Sequence, residues 1–173
     1  AELGRCAVVG TAETASLRWS RLCTQHTLVD FADDDVALAQ LNSVAAQNPE
    51  ALLIPYDCEG IRLVCRLKSR LPLPCLPLPE LETLDMFDDK WAFHQFCLSH
   101  GLPVPRTLWI GSKSGLDFNA LVSELGLPFV VKPTNASGSV GVVVVHGREQ
   151  FQQDIIDKLG YDFSTLIAQQ FIA

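Results

Sequence analysis

Residues 130–142 read VVKPTNASGSVGV, the most informative stretch of the chain. An apolar run ends in Lys132, a loop of small residues follows, and a second valine-rich run begins at Val142. Two apolar runs joined by a Gly- and Ser-rich loop predict an antiparallel β-hairpin. Small residues leave backbone N–H groups uncovered, glycine lets several of them converge on one anion, and the lysine adds a compact positive charge. The stretch therefore predicts a hairpin that binds phosphate.

An ordinary surface hairpin that binds nothing also fits this loop, because Gly- and Ser-rich turns are common in proteins. The loop is not a Walker loop, since no GxxxxGK followed by Ser or Thr is present. It is not a dinucleotide-binding loop either, since no GxGxxG opens a helix after a strand. Taken alone, the loop leaves both the phosphate site and the simple turn open.

Lys90 is the second candidate residue, and it lies within a helix predicted for residues 83–100. Helical spacing puts mostly apolar residues on its side of the helix, so the stem would lie on the core with the ammonium at the edge. Simple snorkelling, or pairing with one of the two preceding aspartates, is the alternative. The apolar residues 166–172 predict a final strand, which on its own indicates core and nothing more.

The first 80 residues alternate short apolar runs with helical patterns, which predicts a parallel α/β sheet with right-handed crossovers. Four prolines between residues 72 and 79 mark a boundary, so we expect one domain over residues 1–80 and a second over 81–173. Asp57 and Glu59 follow a predicted strand, where open α/β sheets place ligands, although a solvated loop is the simpler interpretation. Strands are predicted at residues 6–10, 27–31, 51–55 and 75–79, and helices at 11–22, 35–46 and 60–71.

In the second domain, helices are also predicted at residues 116–125 and 148–159. Gly101 and Gly126 are expected to end the helices that precede them. Helical spacing puts His94 on the same side as Trp91 and other apolar residues, which favours a packed histidine.

Composition limits the possible functions. With 48% hydrophobic residues the chain can fill a core, and its net charge of -7 does not attract nucleic acid or anionic lipid, although a local basic pocket could still bind phosphate. The six cysteines form no CxxC pair, so we expect buried free thiols rather than a structural zinc site. The sequence shows neither a signal peptide nor a membrane-spanning run, which favours the cytoplasm.

Five pieces follow one another along the chain: Lys90 in a helix, GLPVP at 101–105, FVVKP at 129–133, SGSVG at 137–141 and IAQQFI at 167–172. In this combination they resemble the ATP-grasp superfamily. The resemblance covers residues 83–173, and the sequence of the Ser/Gly loop is similar to the carbamoyl-phosphate-synthase-like and amino-acid-ligase branches. Residues 1–80 are similar to the superfamily only in their alternation of strands and helices. It implies a Rossmann-like lead-in domain over residues 1–80, followed by a truncated first ATP-grasp subdomain.

The resemblance implies a role for each matching residue. Lys90 and Lys132 would contact the phosphates of ATP. The loop that folds over these phosphates would consist of Ser137, Gly138, Ser139, Val140 and Gly141. The hinge beside adenine would consist of Gln169, Gln170, Phe171 and Ile172, where the Gln170 carbonyl would accept from the adenine amino group and the Ile172 amide would donate to the ring. The family often has Glu where Gln169 stands, which leaves a side-chain role at this position open.

The reaction that the resemblance implies is ligation. A carboxylate attacks the γ-phosphate of ATP to give an acyl phosphate, and an amine or a thiol then displaces phosphate, with Mg²⁺ neutralising charge. The Mg²⁺ ligands are expected on strands beyond Ala173, so residues 1–173 alone are expected to do no chemistry. Two alternatives remain: a nucleotide- or partner-binding module without catalysis, and an α/β domain that binds no nucleotide. An exposed edge strand could also pair with a second copy to form a homodimer.

Overall fold

The computed structural model describes residues 5–172, and the chain divides into two compact units that meet in sequence at Leu81 and Glu82. The strands within the described residues are β1 (Cys6–Gly10), β2 (Cys23–Leu28), β3 (Thr107–Gly111), β4 (Phe129–Pro133), β5 (Val143–Val145) and β6 (Leu166–Gln170). The helices are α1 (Asp34–Gln47), α2 (Cys58–Leu67), α3 (Leu81–Asp88), α4 (Lys90–Ser99), α5 (Phe118–Leu125) and α6 (Arg148–Phe151).

The first unit contains a parallel pair of strands, β1 and β2, as the alternating pattern predicts. A 3₁₀ helix, Ala12–Trp19, connects them, so the helix predicted for residues 11–22 is shorter and more tightly wound than expected. The second strand was predicted at residues 27–31, but β2 begins earlier and ends at Leu28, so this prediction was a few residues too late. Helices α1 and α2 contribute a small core with Val29, whose buried members are Val29, Ala37, Leu41, Leu63 and Leu67.

The third and fourth strands predicted for the first unit do not form as strands. Residues 51–55 and 75–79 meet only in an isolated parallel bridge between Leu53 and Cys75, supported by a 2.9 Å bond from the Leu53 amide to the Pro74 carbonyl. Proline has no N–H group to donate, and four prolines lie between residues 72 and 79. The ladder therefore cannot extend beyond a single bridge, and this part of the prediction was wrong.

The second unit is built on a four-stranded sheet in the order β3-β6-β4-β5, and each neighbouring pair is antiparallel. The hairpin predicted from residues 130–142 is confirmed, because β4 and β5 pair on either side of the small-residue loop. The final strand β6 inserts between β3 and β4 instead of lying at the sheet edge. This insertion brings two segments together that are far apart in sequence.

One face of this sheet carries the core and the other carries Lys132. Burial alternates along β4: Phe129 and Val131 are fully buried, whereas Val130 and Lys132 are partly exposed on the opposite face. Beyond the sheet, α6 continues as a π-helical turn that ends at Ile156, so the helix predicted for residues 148–159 is shorter. The buried core residues are Leu121, Leu125, Phe129, Val131, Val145, Phe151, Ile155, Tyr161, Leu166 and Ala168.

The helix predicted over residues 83–100 is two helices, α3 and α4, and this break corrects the expected setting of Lys90. The Asp89 carboxylate accepts a 2.7 Å bond from the Ala92 amide and so caps a new helix, of which Lys90 is the first residue. Lys90 therefore does not lie in the middle of a helix among apolar neighbours. The predicted helix ends are confirmed, since Gly101 and Gly126 take positive φ angles of 66° and 75°.

The six thiols are free, but only Cys97 is buried, while Cys6 and Cys58 are exposed. The expectation of buried thiols was therefore wrong for most of them. Among residues 5–172, the helices are all too short or too polar to cross a lipid bilayer.

Candidate functional site

Lys90 is held against the start of the small-residue loop. Its backbone N–H donates to the Thr134 carbonyl at 3.1 Å, which satisfies one of the amides that every helix leaves unpaired at its first turn. Its ammonium nitrogen, Nζ, donates to the same carbonyl at 3.2 Å and to the Ala136 carbonyl at 2.6 Å. Two of the three ammonium N–H groups are thereby used, and the charge is fixed beside the loop.

Lys132 lies on the sheet face opposite the core, at the end of β4. Its Nζ donates to Oε1 of Gln169 at 2.7 Å, and Nε2 of Gln169 donates to the hydroxyl of Thr107 at 2.8 Å. Thr107 and Gln169 are directly paired across β3 and β6, so the sheet register sets this contact. The chain of bonds ends where the Thr107 hydroxyl donates to the Pro105 carbonyl at 2.9 Å.

The two lysines are close enough to affect each other electrostatically. Burial lowers the pKa of the Lys132 ammonium, and the charge of Lys90 lowers this pKa further. Both groups therefore occupy one positively charged region beside the loop, although the chain as a whole carries a net charge of -7. Had the two side chains pointed to opposite surfaces, no common anion could reach both.

The tip of the loop is exposed, and its backbone folds back on itself. Gly138 and Ser139 both take positive φ angles, 60° and 63°. The Val140 amide donates to the Ser137 carbonyl at 3.1 Å, which closes the turn. The side chain of Val140 is 60% exposed, so an apolar group stands in solvent at the tip.

The far end of the loop, in contrast, is fixed at Gly141. Its carbonyl accepts a 2.8 Å bond from the Tyr161 hydroxyl. A Cβ at this position would lie 2.6 Å from the Phe163 ring and 2.7 Å from Pro133, which is too close for non-bonded carbon atoms. The loop thus has one fixed end at Gly141, one end held by Lys90, and an open tip between them.

The predicted adenine hinge consists of the last two residues of β6, Gln169 and Gln170, and the two residues that follow the strand. The Gln170 amide donates to the Arg106 carbonyl at 2.8 Å, which fixes this end of the strand to the segment before β3. Phe171 is 38% exposed and Ile172 is 64% exposed, so both residues are accessible to solvent. Gln169, just before them, is the residue bound to Lys132.

Several residues that support this site were not singled out from the sequence. Thr134 is fully buried, and its hydroxyl lies 2.6 Å from that of Thr165, which ties the end of β4 to the residue before β6. With its amide nitrogen turned toward acceptors, Asn135 donates to Asp89 at 2.7 Å and links the loop to the cap of α4. No motif marked Thr107; only the register of β3 on β6 reveals its contact with Gln169.

The other polar candidates have structural roles or stand apart. Asp57 caps α2 by accepting a 2.7 Å bond from the Gly60 amide, and Glu59 is exposed in the first turn of that helix. His94 is 7% exposed and stacks on Trp91, as expected of a packed histidine. Among residues 5–172, no three His, Cys, Asp or Glu side chains group in a way that could hold a metal ion.

Comparisons with known proteins agree on one family. A family model described as D-ala D-ala ligase C-terminus matches residues 98–173. The D-alanine–D-alanine ligase of Desulforudis audaxviator is 34% identical over 124 residues, which cover 72% of this chain and 34% of that enzyme. The chain belongs to the ATP-grasp superfamily. The matched part of the chain spans about a third of the length of the Desulforudis audaxviator enzyme.

Solved structures show the same fold at low sequence identity. An N5-carboxyaminoimidazole synthetase from Staphylococcus aureus, complexed with ADP, superposes with a TM-score of 0.63 at 16% identity and covers 97% of this chain and 41% of its own. The biotin carboxylase domain of the Hydrogenobacter thermophilus 2-oxoglutarate carboxylase, in complex with MgADP, gives a TM-score of 0.61 at 10% identity, with 97% and 39% covered. These likenesses establish a mixed α/β ATP-grasp fold.

Proposed function

We propose that the whole protein is an ATP-dependent carboxylate–amine ligase that works through an acyl phosphate, and that residues 82–173 bind the phosphates and the adenine of ATP. The observation that carries this proposal is that Lys90 is bonded to the start of an exposed Gly- and Ser-rich loop, near enough to Lys132 on the preceding strand for its charge to act on that ammonium group. We further propose that residues 1–80 are the Rossmann-like lead-in domain and residues 81–173 a truncated first ATP-grasp subdomain.

The residues present fit a polyphosphate. The Lys132 ammonium is partly buried and is repelled by the like charge of Lys90, and its hydrogen-bond partner is the neutral amide of Gln169. A multiply charged anion between the two lysines relieves this repulsion, so it gains more here than at an isolated surface lysine. When bound, ATP supplies the phosphoryl group that activates the carboxylate. The Mg²⁺ ligands are proposed to lie beyond Ala173.

The loop is proposed to close over the phosphates. Its tip has open space around it, since a Cβ added at Gly138 would meet nothing within 4 Å, whereas one added at Gly141 at the base would be enclosed. Closure about the fixed base would bring the amides and hydroxyls of residues 137–140 onto the phosphates and exclude water. In this role Ser137, Gly138, Ser139, Val140 and Gly141 act together as the lid.

Adenine is proposed to lie against the end of β6 and the two residues that follow it. The carbonyl of Gln170 would accept from the 6-amino group of adenine, and the amide of Ile172 would donate to a ring nitrogen. The exposure of Phe171 and Ile172 supports this assignment, since neither residue is covered by the core. Recognition through the backbone requires no particular side chain at residues 170–172.

The names of the relatives favour an amine over a thiol as the nucleophile. Both the matching family model and the relative from Desulforudis audaxviator are D-alanine–D-alanine ligases, which points to an amino acid as the carboxylate and a second amino acid as the amine. We propose this substrate class for the whole protein, with the pairing of two copies as its expected assembly.

Titration of the full-length protein with MgADP tests the nucleotide assignment. Lys90→Ala and Lys132→Ala should each weaken binding by about tenfold, because each removes a charge-assisted contact to phosphate. Lys158→Ala is the matched control, since Lys158 is an exposed lysine of the same unit. Unchanged affinity in Lys132→Ala would refute the phosphate site.

Release of inorganic phosphate from ATP, measured with and without D-alanine, tests ligation by the full-length protein. Binding of ADP without amino-acid-dependent phosphate release would favour a non-catalytic binding module. That residues 1–173 alone do no chemistry remains a prediction, and ATP-dependent ligation by this segment would contradict it.

A further inference from the structure

Gln169 is the middle member of a hydrogen-bonded chain whose polarity runs in one direction. The Lys132 ammonium can only donate, so the oxygen of the Gln169 amide must face it, at 2.7 Å. The amide nitrogen then points the other way and donates to the Thr107 hydroxyl at 2.8 Å. The Thr107 hydroxyl donates its own proton to the Pro105 carbonyl at 2.9 Å, so its oxygen is free to accept a hydrogen bond from Gln169.

A carboxylate at position 169 does not fit this polarity. Both of its oxygens are acceptors, so one of them would face the lone pairs of the Thr107 oxygen instead of receiving a hydrogen bond. This repulsion is relieved only if the Thr107 hydroxyl rotates and donates to the carboxylate. The partly buried Pro105 carbonyl then loses its hydrogen-bond donor. An amide satisfies all three groups at once, and no rearrangement does the same for a carboxylate.

The amide also changes the electrostatics of Lys132. A glutamate 2.7 Å from the ammonium would form an ion pair and neutralise it before any ligand arrives. The glutamine orients the ammonium through one neutral bond and leaves the full charge in place. Lys90 is the nearby charge that acts on Lys132, and it has the same sign, so compensation must come from an anion.

We propose that Gln169 is a positioning residue that orients the Lys132 ammonium toward phosphate and leaves its charge uncompensated until nucleotide binds. The bond between Thr107 and Pro105 favours an amide over a carboxylate at this position. This inference rests on the proposed nucleotide site. It assigns the side chain a role within the protein rather than a contact with the base, and it makes the affinity for phosphate depend on residue 169 through Lys132.

The experiment compares Gln169→Glu with the wild type in the full-length protein, using ADP as the probe. Lys132 is followed by NMR of its side-chain carbon next to the nitrogen, and ADP affinity is measured from pH 7 upward. Gln169→Glu should raise the pKa of Lys132, weaken ADP binding by about tenfold near pH 7.5, and move the loss of affinity at high pH to a higher pH. The matched control is Gln95→Glu, which adds the same charge at an exposed position of α4.

Gln169→Leu separates charge from simple disruption, and it also serves if the glutamate variant folds poorly. It removes both hydrogen bonds without adding a charge, so it should weaken ADP binding without raising the pKa of Lys132. A raised pKa in this variant would overturn the proposal. In the Thr107→Val background, which removes the hydroxyl, the loss of stability caused by Gln169→Glu should shrink.

The outcomes distinguish this inference from the proposed function. If the wild type binds ADP, and Gln169→Glu binds it equally well with the pKa of Lys132 unchanged, the positioning role is refuted and the nucleotide site stands. If the wild type binds no ADP, both proposals fall together. A weaker affinity for ADP with a raised Lys132 pKa supports the positioning role.

Discussion

The Tyr161 hydroxyl donates a 2.8 Å hydrogen bond to the carbonyl of Gly141, at the base of the exposed loop. Tyr161 is itself buried, and its ring lies edge-on to Phe163, whose ring also closes around Gly141. A core residue of the second unit is thus connected directly to the loop proposed to cover the phosphates.

Gly141→Ala should destabilise the second unit by about 3 kcal/mol. The added Cβ meets the Phe163 ring at 2.6 Å and Pro133 at 2.7 Å, and the φ angle of 72° is itself unfavourable for alanine. Gly138→Ala is the matched control, since its φ is 60° and its Cβ meets nothing within 4 Å; we expect a loss of about 1 kcal/mol. Chemical denaturation measures both, and equal losses would contradict the enclosed base.

Tyr161 should ionise only near pH 12. Burial raises the pKa of its phenol to about 12, so the folded state holds this proton more tightly than the unfolded chain does. Stability should therefore fall as the pH rises from about 10 to about 12. Absorbance near 295 nm in a Tyr56→Phe variant isolates this group, because the chain contains only two tyrosines. Ionisation with a midpoint near pH 10 would show that Tyr161 is not buried.

His94 should make the second unit less stable as the pH falls below about 6.5. Burial lowers the pKa of its imidazole, so the unfolded chain takes up a proton that the folded state resists. Its Nδ1 has no hydrogen-bond partner in the described residues, which adds to the cost of charging the ring. His94→Leu should lose less Tm than the wild type between pH 7.5 and pH 5. His146→Gln, at an exposed site, should behave like the wild type.

Asp89→Ala should weaken nucleotide binding as well as stability. The cap it provides to α4 contributes about 1 kcal/mol, and its second oxygen holds Asn135 at the start of the loop. Asp117 caps α5 in the same way, through a 2.9 Å bond from the Ala120 amide. Asp117→Ala should therefore lower the Tm by a similar amount and leave ADP affinity unchanged. Equal affinities in the two variants would contradict the link between the cap and the loop.

Patterns that act over a few residues were predictable. The hairpin of β4 and β5 follows from two valine-rich runs around a glycine loop, and Gly101 and Gly126 end their helices as expected. The packed setting of His94 followed from helical spacing in the same way. In each case the interacting residues are neighbours along the chain, so local sequence contains the information.

Other predictions failed because a second local signal competed with the first. The helical pattern of residues 83–100 continues past Asp89, yet the aspartate offers its side chain to the Ala92 amide, and a new helix starts there. The apolar residues 75–79 suit a strand, but the prolines among them cannot supply the donors that a ladder requires. The spacing of hydrophobic residues alone does not show whether a capping residue or a proline will override it.

The order of residues by itself predicted the β4–β5 hairpin, two candidate lysines and the superfamily they resemble. The folded sheet settled what those lysines contact: β6 lies between β3 and β4, so Gln169 reaches Lys132 across 37 residues and Thr107 across 62. Periodicity and capping are local and leave a mark in the sequence. Strand order and register are set by how whole segments bury their apolar faces together, and no short stretch encodes them.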